Sequence, residues 1–479
     1  MSEARVAATD IADLPAAELR RRIAARDLSA VEVTQACLDR VDRYNAAINA
    51  VVTLNPGALD DARALDRSLA QGEPTGPLCG LPVGIKDVTE VAGLRTTYGS
   101  PVYANFVPTE DALVVRRLRE AGAVILGKTN TPEFAAGGNT FNEVFGRTRN
   151  PWDITRSAGG STGGGAAALA TGMIALAQGT DLGGSLRIPA SFCGIVGLRP
   201  TAGLVPTHPS DYLWDTLQVT GPMARTAEDV ALMLRAIAGP GSWSHPAPQA
   251  DLVDTVRLGV PRGLRIAYCA DPVGIGVDPM IDGRCRQGVS QLQAAGAAVE
   301  IIELDLAFGR KAFLALRGLW FVVQMYSRLD RLEQFGPNVA GNIRAGLETR
   351  VIDLGAAEQA RNRIWQLFRD LFQRYDHLLT PTMAVPPFPV EENYPPTVAG
   401  RAMDTYVDWI APTFVLSLTG LPVASVPCGL DDDGLPIGLQ IVGRPAAEGA
   451  VLALAHHIQD LCPIGGPTLE RLATPAQLR

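Results

Sequence analysis

Short apolar segments alternate with glycine-rich turns and amphipathic helices over most of this chain. The apolar segments at residues 81–83, 124–126 and 195–198 are typical of buried strands, whereas residues 112–120 carry apolar side chains at helical spacing. Strands that alternate with helices usually pair in one sheet that the helices cover. The pattern therefore predicts an α/β fold.

Two regions can be distinguished along the chain, an N-terminal helical segment at residues 1–65 and a single larger domain at residues 66–479. In the first, Ser29 and Glu32 form a capping box, which predicts the start of a helix. In the second, small residues at 164–177 predict a helix, and residues 308–376 predict a helical elaboration. Apolar residues make up 47% of the chain and charged residues 19%, which is enough apolar material for a deep core.

The composition excludes several classes of protein. The formal net charge of −8 leaves no basic surface of the kind that nucleic-acid binding requires. The 7 cysteines include no CxxC pair, so neither a disulfide framework nor a metal site is expected. The first fifteen residues are too polar for an export signal, and the longest small, apolar stretch is too short to span a bilayer. We predict a cytoplasmic protein that binds no nucleic acid, no membrane and no metal.

Two segments match well-known motifs but lack their structural context. Residues 122–129, GAVILGKT, fit the phosphate-loop pattern GxxxxGK[ST], yet the residues between the two glycines are themselves strand-forming, whereas a phosphate loop follows its strand. Residues 159–163, GGSTG, fit the GxSxG pattern of a nucleophile elbow, yet the residues before them are polar and do not predict a strand. Neither a nucleotide hydrolase nor a histidine-dependent α/β hydrolase is therefore predicted.

A third segment, at residues 179–190, presents Ser185 directly after two glycines. The bare backbone of Gly183 and Gly184 allows N–H groups to approach a substrate carbonyl closely, as an oxyanion hole requires. A tight turn needed only for packing is the alternative explanation for such a sequence. The neighbouring segments favour the functional interpretation.

Taken together, residues 159–164, 179–189 and 194–201 resemble the amidase signature family in order and spacing. Further segments similar to the family lie at residues 80–87, 126–133, 221–226, 379–382 and 434–442, so that the resemblance covers nearly the whole chain. It implies the amidase signature fold, in which a large mixed central β-sheet is flanked by helices on both faces. It also implies a serine hydrolase that uses no cofactor.

By this resemblance Ser185 matches the nucleophile, Ser161 matches a bridging serine whose preceding peptide bond is cis in the family, and Lys86 matches the base. The backbone amides that match the oxyanion hole are those of Leu182, Gly183, Gly184 and Ser185.

The chemistry is coherent without histidine. A lysine acts as a base only when it is neutral, and burial among apolar neighbours lowers the pKa of an amine. The chain has 3 lysines and 39 arginines, and arginine cannot take this role because it does not lose its proton. An ion pair between Lys86 and Asp87 is the structural alternative.

Four residues are candidates for contact with the substrate. Gly137 and Gly138 lie in a small-residue loop, and Tyr212 and Trp214 are aromatic residues that suit a roomy apolar pocket. Residues 320 and 321, a tryptophan and a phenylalanine, suit the same pocket, but core packing explains them equally well.

The resemblance implies an amidase that cleaves non-peptide C–N bonds through an acyl-enzyme. Carbamate hydrolysis, as in a urethanase, and aryl ester hydrolysis stay open because the same acyl-transfer machinery serves all three bonds. We expect a stand-alone enzyme that acts on a small-molecule amide, carbamate or ester, and a homodimer stays open. The alternative is the glutaminase subunit of a tRNA-dependent amidotransferase, which residues 205–219 do not resemble.

Overall fold

The computed structural model of the protein describes residues 11–241 and 263–472. The first ten residues, which form most of the segment used to predict the lack of an export signal, lie outside these ranges. None of the described helices combines the length and the apolar character that a bilayer crossing requires.

Within the described residues, eleven strands form one mixed sheet in the order β1-β3-β2-β4-β6-β5-β10-β11-β9-β7-β8. These strands are β1 (Val51–Leu54), β2 (Pro82–Lys86), β3 (Val124–Thr129), β4 (Leu176–Asp181), β5 (Val196–Arg199), β6 (Val219–Ala224), β7 (Arg265–Tyr268), β8 (Ala298–Ile301), β9 (His377–Pro381), β10 (Val423–Leu430) and β11 (Pro436–Val442). Strand β2 is parallel to β3 and β4, and β7 is parallel to β8 and β9, whereas the other neighbours are antiparallel. The predicted α/β fold with a large mixed sheet is confirmed.

Helices cover both faces of this sheet. They are α1 (Ala16–Ala25), α2 (Ala30–Ile48), α3 (Ala58–Ala70), α4 (Leu113–Glu120), α5 (Gly163–Ala170), α6 (Arg187–Cys193), α7 (Ala227–Ile237), α8 (Pro279–Ala294), α9 (Gly309–Gln324), α10 (Pro337–Glu348), α11 (Val351–Arg374), α12 (Ala411–Ser417) and α13 (Glu448–Leu461). Successive residues of β10 belong to different core clusters, since Val423 packs in one and Ala424 in another. Because side chains alternate across a strand, the two clusters lie on opposite faces of the sheet.

The predicted helix at residues 164–177 is wrong in its second half. Helix α5 ends at Ala170, and the chain turns before it enters strand β4 at Leu176. Gly172 has a φ of +72°, which ends the helix, and the Thr171 hydroxyl donates to the Ala167 carbonyl oxygen at 2.8 Å. Composition alone could not show this division, because small apolar residues suit both the buried helix and the buried strand.

The N-terminal segment is tied to the sheet by more than helices. The capping box at Ser29 is confirmed, since Ser29 Oγ accepts the Glu32 N–H at 3.0 Å and the Ser29 N–H donates to the Glu32 carboxylate at 2.8 Å. The chain then forms β1, an unpredicted strand that pairs with β3 at the edge of the sheet. The domain border after residue 65 stays a prediction.

The helical elaboration consists of α9, α10 and α11. Helices α9 and α10 approach closely where two glycines face each other: a Cβ on Gly346 would lie 2.3 Å from the carbonyl oxygen of Gly318. This approach lets Asn342 of α10 accept a hydrogen bond from Arg317 of α9, and Arg317 lines a pocket with Thr180 of β4.

Candidate active site

Two parallel strands end side by side and bring polar groups to one edge of the sheet. Ile85 of β2 pairs with Gln178 of β4, so that Lys86 lies near Thr180 in the fully buried ends of both strands. The segment before α5 supplies Ser161, and the loop after β4 supplies Ser185. Ser161 and Ser185 line the same pocket.

Lys86 is fully buried and contacts two hydroxyl groups. Its Nζ atom donates to Ser161 Oγ at 2.7 Å and to Thr180 Oγ1 at 3.0 Å. Burial lowers the pKa of Lys86 to about 7, although the nearby charge of Asp181 acts in the opposite direction. The lysine is therefore substantially neutral near pH 7, and the contact with Ser161 gives it one particular proton to accept.

The ion pair between Lys86 and Asp87 that the sequence left open does not form. Asp87 lies 3.3 Å from the Nζ atom of Lys128, which also donates to the carbonyl oxygen of Thr89 and to Thr96 Oγ1, both at 2.7 Å. Lys128 belongs to strand β3, inside the segment that matched the phosphate-loop pattern. Gly122 of that pattern therefore precedes a buried strand and Gly127 lies within it, and the lysine serves as the partner of a buried carboxylate.

Asp181 organises the loop that carries Ser185. Its carboxylate accepts the Gly184 N–H at 2.9 Å and the Leu186 N–H at 3.2 Å, and it pairs with Arg187 at 3.0 Å and Arg199 at 3.2 Å. Burial acts to raise the pKa of Asp181, but the two guanidinium groups hold it well below its usual range. The fully buried ion pairs of Asp181 with Arg187 and Arg199 thus hold the conformation of the loop.

The loop leaves several amides without an intramolecular acceptor. Within the described ranges, the N–H groups of Leu182, Gly183 and Ser185 have no hydrogen-bond acceptor. The predicted donor Gly184 differs, because its N–H is taken by Asp181. Its φ of +127° suits glycine, and a Cβ there would lie 2.2 Å from Thr413 Oγ1. The geometry requires glycine at this position for space and backbone conformation.

The two serines are held near each other through the backbone. The Thr162 N–H donates to the Ser185 carbonyl oxygen at 3.2 Å, and the peptide bond between Gly160 and Ser161 is cis, as the resemblance implied. In the part of the chain that the structure describes, Ser185 Oγ makes no hydrogen bond. Its side chain is half-buried and faces the pocket, where a substrate can reach it.

The four predicted substrate contacts are not brought together. Gly137 lines the pocket with Ser185, whereas a Cβ on Gly138 would lie 2.6 Å from the Trp409 ring, which shows that packing requires this glycine. Tyr212 lines a neighbouring pocket, and Trp214 is 72% exposed. As substrate contacts, all four stay predictions.

Other pocket residues were missed or left undecided in the sequence. Trp320 and Phe321 of α9 are 8% and 2% exposed and also line the pocket, so they serve the core and the site together. Arg317 and Tyr406, which line the same pocket, were not predicted. The signal for Arg317 was a lone charge within the apolar sequence AFLALRGLWFVV. Among the described residues, no three His, Cys, Asp or Glu side chains are placed to hold a metal ion.

Comparison with known proteins finds relatives of similar sequence and fold. A family model described as Amidase matches residues 32–452. The A subunit of a glutamyl-tRNA(Gln) amidotransferase from Carboxydothermus hydrogenoformans is 37% identical, and the alignment covers 93% of this chain and 97% of that protein. The crystal structure of a bacterial aryl acylamidase of the amidase signature enzymes superposes with a TM-score of 0.86 at 28% identity, covering 94% of this chain and 96% of its own. The crystal structure of the A subunit of the glutamyl-tRNA(Gln) amidotransferase from Thermotoga maritima superposes with a TM-score of 0.74 at 29% identity, and covers 95% of this chain and 96% of its own.

These relatives correct one prediction. We expected a stand-alone enzyme that acts on a small molecule and binds no nucleic acid, with a homodimer left open. The relative from Carboxydothermus hydrogenoformans is named as the A subunit of a glutamyl-tRNA(Gln) amidotransferase, and so is one subunit of a larger enzyme. The expectation of partners was therefore wrong. It rested on net charge and on residues 205–219, which do not resemble an amidotransferase subunit, and neither reports on a surface that binds another subunit.

Proposed function

Since the chain belongs to the amidase signature family, we propose that it cleaves an amide C–N bond by acyl transfer to Ser185, with Ser161 as the proton relay and Lys86 as the base. The observation that supports this proposal most strongly is the 2.7 Å contact between Lys86 Nζ and Ser161 Oγ inside a fully buried site. A protonated lysine cannot act as a base. Because the pKa of Lys86 is about 7, a large share of the amine is neutral near pH 7 and can accept the proton of Ser161.

In the proposed reaction, neutral Lys86 takes the proton of Ser161 as Ser161 takes that of Ser185. Ser185 Oγ bonds to the amide carbon, and the carbonyl electron pair moves onto oxygen. The proton then returns through Ser161 to the amide nitrogen, and the C–N bond breaks. Water enters the same cycle and hydrolyses the ester of Ser185, which regenerates the enzyme.

We assign the oxyanion hole to the amides of Leu182, Gly183 and Ser185, which have no acceptor in the described structure. Donors that are already aimed at the position where negative charge develops stabilise the transition state without reorganisation. The amide of Gly184 joins them only after it leaves the carboxylate of Asp181, with which it forms a 2.9 Å hydrogen bond.

A second candidate function is the glutaminase subunit of a tRNA-dependent amidotransferase. It is favoured by the 37% identity to such a subunit over 93% of the chain. In that case, the amide would be that of glutamine, and the released ammonia would be used by a partner subunit. The test is ammonia release from glutamine by the chain alone and after addition of the other subunits of its amidotransferase.

The central test compares the purified chain with its Ser185→Ala variant on an amide, a carbamate and an ester that share one leaving group. We expect Ser185→Ala to lower kcat for the amide by roughly 1,000-fold or more. A fluorophosphonate should label the wild type and fail to label Ser185→Ala. The matched control is Ser210→Ala, which removes a serine hydroxyl of a neighbouring pocket and should leave labelling intact. Full activity of Ser185→Ala would show that the mechanism is wrong. Carbamate and aryl ester cleavage stay predictions that the same three substrates test.

A further inference from the structure

The pocket that holds Ser185 contains one charged side chain, and nothing in the proposed acyl transfer uses it. Arg317 of α9 lines this pocket and is 6% exposed. Within residues 11–241 and 263–472, no carboxylate lies within ion-pair distance of Arg317. A buried guanidinium without a carboxylate is unusual, because arginine stays charged and loses its hydration on burial.

Neighbouring groups fix the orientation of this guanidinium without neutralising it. Its Nε donates to Asn342 Oδ1 at 2.8 Å, and its Nη2 donates to the Tyr406 hydroxyl at 2.6 Å. The rings of Phe313, Phe321 and Tyr406 lie 5.9, 5.1 and 5.6 Å from its central carbon. These contacts hold the positive charge in place and leave it without a negative partner.

Donors remain free on this guanidinium. A guanidinium has five N–H groups, and both hydrogens of Nη1 lack an acceptor in the described part of the chain. The Tyr406 hydroxyl accepts from both Arg317 and Asn342, so its own O–H is left to donate elsewhere. Tyr406 also lines the pocket. A planar anion in this position would receive two or more charge-assisted hydrogen bonds.

We propose that Arg317, with Tyr406, binds a carboxylate on the acyl part of the substrate, so that the preferred substrates are amides of acids that carry a second carboxylate. This inference rests on the proposed function, because it takes Ser185 as the reacting group of the same pocket. The carboxylate must lie on the acyl part when the leaving group is ammonia, since ammonia offers no atom to carry it.

The lining of the pocket also favours monoamides that lack an amino group over glutamine, which carries one. None of the described residues that line it is acidic, so the pocket offers a partner for a carboxylate and none for an ammonium group. In the adjoining pocket, Glu90 and Asp211 are already engaged, with Tyr98 and Arg328 respectively. A dicarboxylic acid monoamide therefore fits better than glutamine, which carries both charges.

The test uses dicarboxylic acid monoamides with two, three or four methylene groups, each paired with the neutral amide in which methyl replaces the carboxylate. We expect the wild type to prefer the anionic member at one chain length, and Arg317→Met to lower the ratio of the two kcat/KM values by roughly 10- to 100-fold. Arg317→Lys should keep part of that preference, and Tyr406→Phe should lose a smaller part. The matched control is Arg363→Met, which removes an arginine stacked 4.4 Å from the Phe308 ring outside the pocket; it should leave the ratio unchanged.

A structural role for Arg317 predicts a different outcome. In that case Arg317→Met would lower both kcat/KM values in the same proportion, and an unchanged ratio would overturn the proposal. A higher kcat/KM for glutamine than for the monoamide of the same length would overturn the argument that the pocket has no partner for an ammonium group.

A binding measurement without catalysis tests the carboxylate site independently of the proposed reaction. The dissociation constant of the best monoamide is measured by calorimetry with Ser185→Ala and with Ser185→Ala/Arg317→Met. Weaker binding by the double variant supports the carboxylate site even if the wild type cleaves none of the amides, a result that would reject only the reaction.

Discussion

Lys86→Met should abolish activity and yet make the folded protein more stable at neutral pH. The lysine occupies a fully buried position in which burial lowers its pKa from about 10.5 to about 7. In the unfolded chain the same amine keeps its proton up to about pH 10.5. Folding therefore forces the amine to lose a proton between pH 7 and 10.5, and below pH 7 it forces a charge into an apolar site.

The magnitude follows from this difference in pKa. At about 1.4 kcal/mol per pH unit, the cost to the folded state is about 5 kcal/mol well below pH 7 and declines to nearly zero at about pH 10.5. The sign is that of a group with a lowered pKa: the unfolded state binds more protons, so this contribution to stability improves as pH rises. Methionine avoids the cost at every pH but loses the hydrogen bonds to Ser161 and Thr180, about 1 kcal/mol each. We expect Lys86→Met to be more stable by about 2 kcal/mol at pH 7 and equal to the wild type near pH 9.

The assay is urea unfolding at 25 °C of both proteins at pH 7, 8 and 9, followed by tryptophan fluorescence. Other titrating groups are common to both proteins and cancel in the difference between their free energies of unfolding. A difference that stays constant with pH would refute the reasoning, because it would show that Lys86 binds its proton equally in the two states. Lys128→Met is the contrasting control. Burial lowers the pKa of Lys128 as well, to about 8, but its replacement leaves Asp87 buried without its partner at 3.3 Å, so this variant should be less stable than the wild type.

Three further predictions follow from the site. The kcat/KM of the wild type for an uncharged amide should rise with pH and level off above about 7, because only neutral Lys86 accepts a proton; a profile that is flat from pH 5.5 to 9 would contradict the assignment of the base. Asp181→Asn should lower the free energy of unfolding by about 3–5 kcal/mol and remove activity, because it leaves two buried guanidinium groups without their carboxylate; wild-type values in thermal unfolding would argue against this. Gly346→Ala should cost about 1–3 kcal/mol by pushing α10 away from the Gly318 carbonyl oxygen, and should reduce the selectivity for anionic amides, which the paired kinetic assay measures. Unchanged selectivity would show that the close helix contact does not position Arg317.

The central part of the site could be predicted because its residues lie in short segments with strong local requirements. Gly183 and Gly184 are needed where the chain leaves no room for a side chain, and Lys86 ends an apolar strand in a chain with few lysines. The parallel pairing of β2 with β4 then brings the ends of two strands together. Strand alternation predicts such a meeting in general terms, although the order of the eleven strands could not be read from the sequence.

The pocket was harder to predict because its walls come from distant parts of the chain. Arg317 and Tyr406 are 89 residues apart, and their hydrogen bond depends on how α9 packs beneath the segment before α12. Trp214 shows the limit of residue type: an aromatic residue suits an apolar pocket, yet this one is 72% exposed. Residue type reports which interactions a side chain can make, and only packing decides which partners it meets.

Asp181 shows why the proposed base, Lys86, needs more than an apolar position. Its negative charge acts to raise the pKa of Lys86 and so to keep the amine protonated. The same carboxylate holds the Ser185 loop through the N–H groups of Gly184 and Leu186, so it cannot be omitted. Arg187 and Arg199 resolve this conflict, because both lie within 3.2 Å of the carboxylate and offset its charge. The loop thus keeps its anchor while burial still dominates the pKa of the lysine.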